Sequence, residues 1–192
     1  MGARNKILLW ETRIDIALSR ARAENKLVLL EFFDPCEIGC YPMDVTYGDA
    51  RVMEFVERNM VPLRVACSVQ PLSSEFSIRQ TPTIITLDED GKEYQRAEGV
   101  LGPDELIPLL LLGCAKCHFG RGRYGETLST LDMLLTRYPK STRVPEAIYL
   151  RGVCTYKNTL DGQSLRRAYE QLEEEHPSSE WTKKTYPYRY RF

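Results

Sequence analysis

Short apolar runs alternate with stretches of helical spacing through the first half of the chain. Ile14, Ala17, Leu18 and Ala21 recur three or four positions apart, which predicts an amphipathic helix over residues 12–25. Compact apolar runs of strand length follow at intervals, and a shorter run stands near the start. We expect buried strands over residues 27–33, 60–66, 81–87 and 93–99, with an edge strand over residues 6–10.

Turn and capping signals define the helices between these runs. A helical stretch over about residues 40–59 breaks near Gly48, and Asp49 is placed to cap its second part. A short helix is expected over residues 71–78, and Pro103 opens another at its first position. The segment DEDGK between the last two strands is a hairpin signal. Parallel strand–helix–strand units plus one antiparallel hairpin predict an α/β fold with a mixed sheet flanked by helices.

After residue 113 the strand signals stop and helical spacing continues. We expect helices within residues 122–141, 144–159 and 163–179, the first with a stripe of Tyr124, Leu128, Leu131, Leu135 and Tyr138. The sequence also repeats at an offset of 38, which pairs Leu131 with Tyr169, Leu134 with Leu172, Tyr138 with His176, Pro139 with Pro177 and Ser141 with Ser179. Such units stack because one unit cannot bury its own apolar face. We therefore place a first domain at residues 1–112 and a helical domain at residues 113–192, sharing a helix over about residues 103–119.

Composition and charge exclude several classes of protein. The chain has 192 residues, 43% of them hydrophobic and 28% charged, which is typical of a soluble globular protein. Its net charge of -1 argues against a general nucleic-acid binder. No apolar run approaches the roughly 20 residues of a membrane helix, and the start of the sequence has no secretory signal. We expect a cytoplasmic protein with neither nucleic-acid nor membrane partners, unless a leader has been removed.

The charge is divided unevenly along the chain. Residues 1–113 hold 12 basic and 18 acidic side chains, and residues 114–192 hold 14 basic and 9 acidic ones. The first part therefore has a net charge of -6 and the second a net charge of +5. Either the two parts present different surfaces to partners, or they attract each other.

Three sequence features follow one another in the first part: ENKLVLLEFF at residues 24–33, Cys-Tyr-Pro-Met-Asp at residues 40–44, and Gln-Thr-Pro-Thr at residues 80–83. In these features residues 12–112 resemble the thioredoxin-fold superfamily, in particular a thioredoxin-like branch with a Cys-x-x-Cys-x-x-Met-Asp pattern. Residues 106–185 resemble tetratricopeptide repeats of the Tyr-Pro-x-Ser type. The first resemblance implies that Pro82 is cis and faces the active site. It also implies that Thr81 offers main-chain groups to an extended substrate segment.

The chemistry implied by this resemblance uses two thiols. One thiolate at a helix N-terminus attacks a substrate disulfide, and a second thiol, about one turn on, resolves the mixed disulfide. This chain has Cys36-Glu37-Ile38-Gly39-Cys40, one residue longer than the family spacing. Glu31 lies nine positions before Cys40, as the strand acid does in thioredoxins. Cys40 therefore takes the resolving position, and Glu37 falls where the family has its nucleophile.

Two hypotheses remain for this loop. In one, the loop bulges by a residue, Cys36 acts as nucleophile and Cys40 resolves, with Gly39 permitting the unusual backbone. In the other, the redox motif has decayed and Glu37 is an electrostatic helix cap. Glu31 is either a buried acid that assists proton transfer or a solvated acid at a strand end.

The remaining cysteines and histidines carry weaker signals. Cys114-Ala-Lys-Cys117-His118 matches a c-type haem attachment pattern and half of a zinc site, but it lies within an apolar helical pattern. We expect packed helix residues there, with no metal and no cofactor. Cys67 is expected to be buried or half-buried, Cys154 to lie in the core, and His176 to pack at a helix end. The basic aromatic tail from residue 181 either caps the helical repeats or binds an acidic partner.

Together these features favour a thiol–disulfide oxidoreductase-like protein. Its site would be Cys36 and Cys40 beside cis-Pro82, with Thr81 guiding the substrate backbone and Glu31 as a proton-transfer acid. A protein substrate or partner is expected, selected by the helical part. The alternative is a catalytically silent protein–protein interaction module that has kept the fold.

Overall fold

The computed structural model describes residues 7–36 and 41–190. Contacts within the chain divide it into two units, the first ending at Gly113 and the second beginning at Cys114.

Among the described residues, four strands form one mixed sheet in the first unit. β1 (Leu27–Phe33) pairs in parallel with β2 (Met60–Ala66) and antiparallel with β3 (Thr83–Leu87). β4 (Glu93–Glu98) pairs antiparallel with β3, so the order across the sheet is β2-β1-β3-β4. This confirms the predicted α/β class, because the β1–β2 connection is helical and the β3–β4 connection is a hairpin.

Helices surround this sheet where capping and apolar spacing place them. The carboxylate of Asp49 accepts a hydrogen bond from the main-chain N–H of Arg51 at 2.8 Å, which starts a new helix and confirms the predicted break. The helices are α1 (Ile14–Glu24), α2 (Tyr41–Tyr47), α3 (Ala50–Asn59), α4 (Leu72–Glu75) and α5 (Pro103–Gly120).

The sheet is buried on both faces. One face packs against α1 through a cluster of fully buried side chains that includes Leu30 and Ala21. Side chains alternate along a strand, so Glu31 lies on the opposite face. Thr86 of β3 shares that face, and Gly113 of α5 lies against it.

The predicted edge strand over residues 6–10 is wrong for residues 7–10, the part that is described. A single bridge forms instead at Glu11, whose N–H donates to the carbonyl of Pro62 at 2.9 Å and whose carbonyl accepts from the N–H of Arg64 at 2.9 Å. The next rung toward Leu9 would need an N–H from Pro62. Proline has none, so the ladder stops after one bridge.

The described part of the second unit contains helices and turns only. After the end of α5 come α6 (Tyr124–Arg137), α7 (Val144–Thr159), α8 (Gln163–Glu175), α9 (Glu180–Thr185) and a 3₁₀-helix (Tyr186–Tyr190). This confirms an all-helical second part. The buried face of α6 is centred on Thr127, Leu131 and Leu134, whereas Leu135 of the predicted stripe is only half-buried. Thr127 can be buried because its hydroxyl donates to the carbonyl of Arg123 at 2.9 Å.

The offset of 38 in the sequence reappears in the backbone. Tyr138 follows α6 with φ -129° and ψ 52°, and His176 follows α8 with φ -139° and ψ 52°. Each N–H donates to the carbonyl four residues earlier at 2.9 Å. Three residues on, Ser141 and Ser179 each accept a hydrogen bond from the N–H two residues later at 3.2 Å. The same turn therefore ends both helices.

Candidate functional site

Three segments with candidate residues meet at one edge of the sheet. β1 and β2 are parallel, so the residues that follow them leave the sheet at the same edge, and antiparallel β3 begins there. The N–H of Cys67, just after β2, donates to the carbonyl of Phe33 at the end of β1 at 2.8 Å. Thr83, directly after Pro82, pairs with Phe32. These pairings place the loop after β1, Cys67 and Pro82 at the same end of the sheet.

Cys36 lies in the loop after β1 and is exposed. Its main-chain N–H donates to the carboxylate of Asp34 at 2.8 Å, which closes a turn just after the strand. Cys40 and Glu37 lie outside the described residues. The pairing of Cys36 with Cys40 therefore stays a prediction, as does the alternative in which Glu37 caps the helix.

Pro82 follows a cis peptide bond from Thr81, the isomer that the family resemblance implies. Pro82 is buried, and its carbonyl accepts a hydrogen bond from the N–H of Gly99 at 2.8 Å. Thr81 is half-buried and lies two residues before β3. A second cis bond joins Gln70 to Pro71, and no sequence feature beyond the proline itself indicated it. The substrate-guiding role of Thr81 stays a prediction.

Glu31 is completely buried in β1, so the alternative of a solvated strand-end acid is wrong. It pairs across the sheet with Arg64 of β2, whose Nε lies 2.9 Å from Glu31 Oε2. The two groups form an ion pair, but their orientation does not meet the angles of a hydrogen bond. Neither carboxylate oxygen of Glu31 has a hydrogen-bond partner among the described residues. Burial raises the pKa of Glu31 to about 7 against the opposing effect of Arg64, and Asp44 raises it further.

Arg64 is the residue that sequence analysis missed. Its Nη1 lies 2.8 Å from Asp44 Oδ1 on α2, so one guanidinium group serves two carboxylates. The guanidinium carbon also lies 4.6 Å from the ring centre of Phe33 and 5.5 Å from that of Trp10. The available signal was one charged residue in each of two apolar runs, at the fifth position of β1 and of β2.

Tyr47 of α2 completes the surroundings of this ion pair. Its ring is buried and meets Trp10 edge-on, with ring centres 4.7 Å apart. Burial raises the pKa of Tyr47 well above its ordinary value, and the charge of Glu31 adds to the rise. The hydroxyl of Tyr47 has no hydrogen-bond partner among the described residues.

The other cysteines lie where packing predicts them. Cys67 is half-buried, and Cys114, Cys117 and Cys154 are buried. Burial raises the pKa of Cys114 to about 12, which keeps it a thiol at neutral pH. His118 Nδ1 lies 3.2 Å from Glu126 Oε2, while burial lowers the pKa of His118.

Residues 7–36 and 41–190 contain no cluster of three or more His, Cys, Asp or Glu side chains that could hold a metal ion. No helix in the same ranges combines the length and the apolar character needed to cross a membrane.

Comparison with known proteins decides the family. Residues 14–112 match the family model of the thioredoxin-like domain, which is more than half of the chain. The chain belongs to the thioredoxin-like domain family. The match ends at residue 112, so the family assignment rests on the first unit.

Solved structures agree with this assignment at the level of the fold. A thioredoxin from Thermus thermophilus is 23% identical with a TM-score of 0.54, over 62% of this chain and 96% of that one. A putative disulphide-isomerase from Bacteroides thetaiotaomicron is 22% identical with a TM-score of 0.52, over 58% of this chain and 97% of that one. No curated protein matches the chain.

Proposed function

We propose that this thioredoxin-like protein is a thiol–disulfide oxidoreductase that acts on protein substrates through Cys36 and Cys40 beside Pro82. One observation carries the proposal. An exposed thiol, Cys36, stands in the loop that leaves β1, and Glu31, with a pKa raised to about 7, lies buried five positions earlier on that strand. A disulfide exchanger at neutral pH needs both a reachable sulfur and a nearby group that exchanges protons.

The reaction would proceed in two exchanges. The Cys36 thiolate attacks one sulfur of a substrate disulfide, a mixed disulfide forms, and the other substrate sulfur leaves as a thiolate and is protonated. The Cys40 thiolate then attacks the Cys36 sulfur, which closes the Cys36–Cys40 disulfide and releases the second substrate thiol. The cysteine pair loses two electrons and the substrate disulfide gains them. The reverse sequence oxidises a substrate dithiol.

Glu31 would take the proton that Cys40 gives up in the second exchange. With a pKa of about 7, it is present both as acid and as base at neutral pH. Thr81 would offer its main-chain groups to an extended substrate segment, because it lies beside Pro82 at the same edge of the sheet.

The helical second unit would select the protein partner through tetratricopeptide-like repeats. The repeated turn at Tyr138 and His176, with its matching serine hydrogen bonds, supports a repeated helical unit. Of the two structures compared above, one is a thioredoxin and the other a putative disulphide-isomerase. We infer a cytoplasmic protein with a protein partner, and with no nucleic-acid or membrane partner.

The test is a redox titration of the native protein in glutathione buffers, with alkylation of the remaining thiols and mass spectrometry of the peptides. We expect Cys36 and Cys40 to become protected together, as one two-electron couple. Cys36→Ser should leave Cys40 unpaired and abolish insulin reduction, whereas Cys154→Ala, which changes a buried thiol of the second unit, should leave both readouts unchanged. Independent titration of Cys36 and Cys40 would disprove the proposal.

The alternative is a silent interaction module, and the loop spacing favours it. Three residues rather than two separate Cys36 from Cys40, and Glu37 takes the nucleophile position in the ungapped register. For such a module we expect no insulin reduction by the wild type and no glutathione-dependent pairing of Cys36 with Cys40. In that case, affinity purification on the wild type and on Cys36→Ser should recover the same partner.

A further inference from the structure

Arg64 connects the two chain segments that lead into and out of the thiol-bearing loop. Glu31 precedes that loop on β1, and Asp44 follows it on α2. The guanidinium group lies 2.9 Å from Glu31 and 2.8 Å from Asp44, and its carbon lies 4.6 Å from the ring centre of Phe33. Arg64 therefore bridges one acid that precedes the loop and one that follows it.

Trp10 lies against two of the groups that surround Glu31, namely Arg64 and Tyr47. Its ring centre is 5.5 Å from the guanidinium carbon of Arg64 and 4.7 Å from the ring centre of Tyr47. The neighbouring residue Glu11 is tied to β2 by two backbone hydrogen bonds of 2.9 Å, to Pro62 and Arg64. Leu8 is buried as well, so residues 8–11 are anchored on both sides of Trp10.

We propose that Trp10 is a positioning residue, which the Glu11 bridge holds over Arg64 and Tyr47 so that Arg64 stays between Glu31 and Asp44 and water is kept from the Glu31 carboxyl group. This inference deepens the proposed function, since it concerns the acid assigned there to proton transfer. Its physical content does not depend on disulfide exchange. In physical terms, an N-terminal segment outside the sheet controls the ionisation of a buried acid in β1.

The groups that face Glu31 define the direction of the effect. Arg64 reaches it from β2, and Asp44 and Tyr47 act on it from α2. Burial is the largest of these influences and favours the neutral acid. Removal of Trp10 should admit water and move the pKa of Glu31 down toward 4.5, even though a looser Arg64 would act in the opposite direction.

The first experiment uses Trp10 as its own reporter. The chain has two tryptophans, so Trp181→Phe leaves Trp10 as the sole indole. We expect its emission to change between pH 5 and pH 9 with a midpoint near 7, and to stay flat over that range when Glu31→Gln is added. An emission titration that persists in Glu31→Gln would show that Trp10 does not report on Glu31.

The second experiment changes the side chain of Trp10 and measures the effect on the titration of Glu31. Carbon-13 NMR of labelled glutamate carboxyl groups gives the pH midpoint of the Glu31 titration in each variant. Glu31→Gln identifies the signal of Glu31. Trp10→Ala should lower the midpoint by roughly one pH unit or more, and Trp10→Phe by less, since a ring remains. Trp181→Phe is the matched aromatic control and should leave the midpoint unchanged.

A backbone variant keeps the proposal testable if Trp10→Ala fails to fold. Glu11→Pro removes the N–H that donates to Pro62 but keeps Trp10, and it should lower the Glu31 midpoint in the same direction. Glu11→Ala removes only the side chain, which pairs with Arg20 at 3.0 Å, and should leave the midpoint unchanged. An unaltered midpoint in folded Trp10→Phe and Glu11→Pro would overturn the proposal.

The effect of Trp10 on the titration of Glu31 can be tested independently of the proposed disulfide exchange. If Cys36 and Cys40 never pair but the Glu31 midpoint still moves with Trp10, the proposed function fails and the positioning role stands. If the cysteines pair and the midpoint stays fixed in every variant, the positioning role fails alone.

Discussion

The buried carboxyl group of Glu31 makes the stability of the protein depend on pH. Its pKa is raised from 4.5 to about 7 in the folded protein, so between these values the folded state binds a proton that the unfolded chain has released. Stability from this group is therefore fully present below pH 4.5 and is lost as the pH rises through 7. The loss corresponds to about 3 kcal/mol.

This prediction is checked by urea denaturation at pH 5 and pH 8 with the thiols kept reduced. We expect the free energy of unfolding to fall more steeply with pH in the wild type than in Glu31→Gln, whose amide does not titrate. The difference between the two slopes removes the contribution of the other ionisable groups. Equal slopes would mean that Glu31 ionises in the folded protein as it does in the unfolded chain.

At the residue scale, the sequence pointed to a candidate acid but not to its environment. The spacing from Glu31 to Cys40 singled out Glu31, yet burial and solvent exposure were equally compatible with that spacing. Arg64 pairs with Glu31 from the neighbouring strand, and Trp10 contacts both Arg64 and Tyr47, so these side chains come from three different segments. Hydrophobic periodicity describes one segment at a time, so it could not show that they converge.

Among the elements, the contact between α5 and β3 depends on a missing side chain. A Cβ atom added at Gly113 would lie 2.6 Å from Thr86 Oγ1, 2.7 Å from its Cβ and 2.9 Å from its Cγ2. Thr86 is buried and β-branched, so it cannot turn away. Gly113→Ala should therefore cost about 1–3 kcal/mol of stability, despite a gain of about 1 kcal/mol in helix propensity.

Gly125 of α6 provides the control for this substitution. A Cβ atom there meets nothing within 4 Å, so Gly125→Ala should be neutral or slightly stabilising. Both variants are compared by urea denaturation followed by circular dichroism. A Gly113→Ala protein as stable as Gly125→Ala would show that α5 can move away from the sheet without loss.

The packing of α7 on α8 allows a reciprocal exchange. A Cβ atom at Gly152 would lie well inside contact distance of the Ala168 Cβ. Gly152→Ala should destabilise the protein by about 1–2 kcal/mol, and Ala168→Gly by about 1 kcal/mol. The double variant should be more stable than the sum of the two changes predicts, because it removes the clash. Strict additivity in a thermal-denaturation cycle would contradict this contact.

Whole elements were predicted best where the apolar run and its bounding signals agree. β1 and α7 have the predicted bounds, and Asp49 caps α3 as expected. The prediction of an edge strand was wrong because an apolar run does not reveal its neighbour in the sheet. Here the neighbouring strand has Pro62, which lacks a main-chain N–H, where the next hydrogen bond would need a donor. The predicted stripe of α6 named apolar residues alone, so it did not include Thr127, which is buried because its hydroxyl donates to the carbonyl of Arg123.

At the scale of the whole molecule, the candidate chemistry and the family match both belong to the first unit. The structure places Cys36, Pro82 and Glu31 in that unit, and the family model covers residues 14–112. Cys40 lies outside the described residues, so its pairing with Cys36 stays a prediction.

Accessibility ranks the five described cysteines across both units and predicts their order of modification. Cys36 is exposed and Cys67 half-buried, whereas Cys114, Cys117 and Cys154 are buried. A brief pulse of N-ethylmaleimide on the reduced native protein should label Cys36 first. Cys114 should be far slower, because a pKa of about 12 rather than 9.0 makes its thiolate about a thousandfold scarcer at pH 8, in addition to the barrier of burial.

Mass spectrometry of the quenched peptides gives the rate at each cysteine, and the same pulse in guanidinium chloride supplies the control, where all sites should react at similar rates. A Cys114 or Cys117 that reacts as fast as Cys36 in the native protein would mean that α5 opens readily at its second-unit end. Slow labelling of Cys36 itself would remove the reachable sulfur from the proposed mechanism. The labelling rates at these cysteines therefore test the proposed nucleophile and the packing of the helical unit in one measurement.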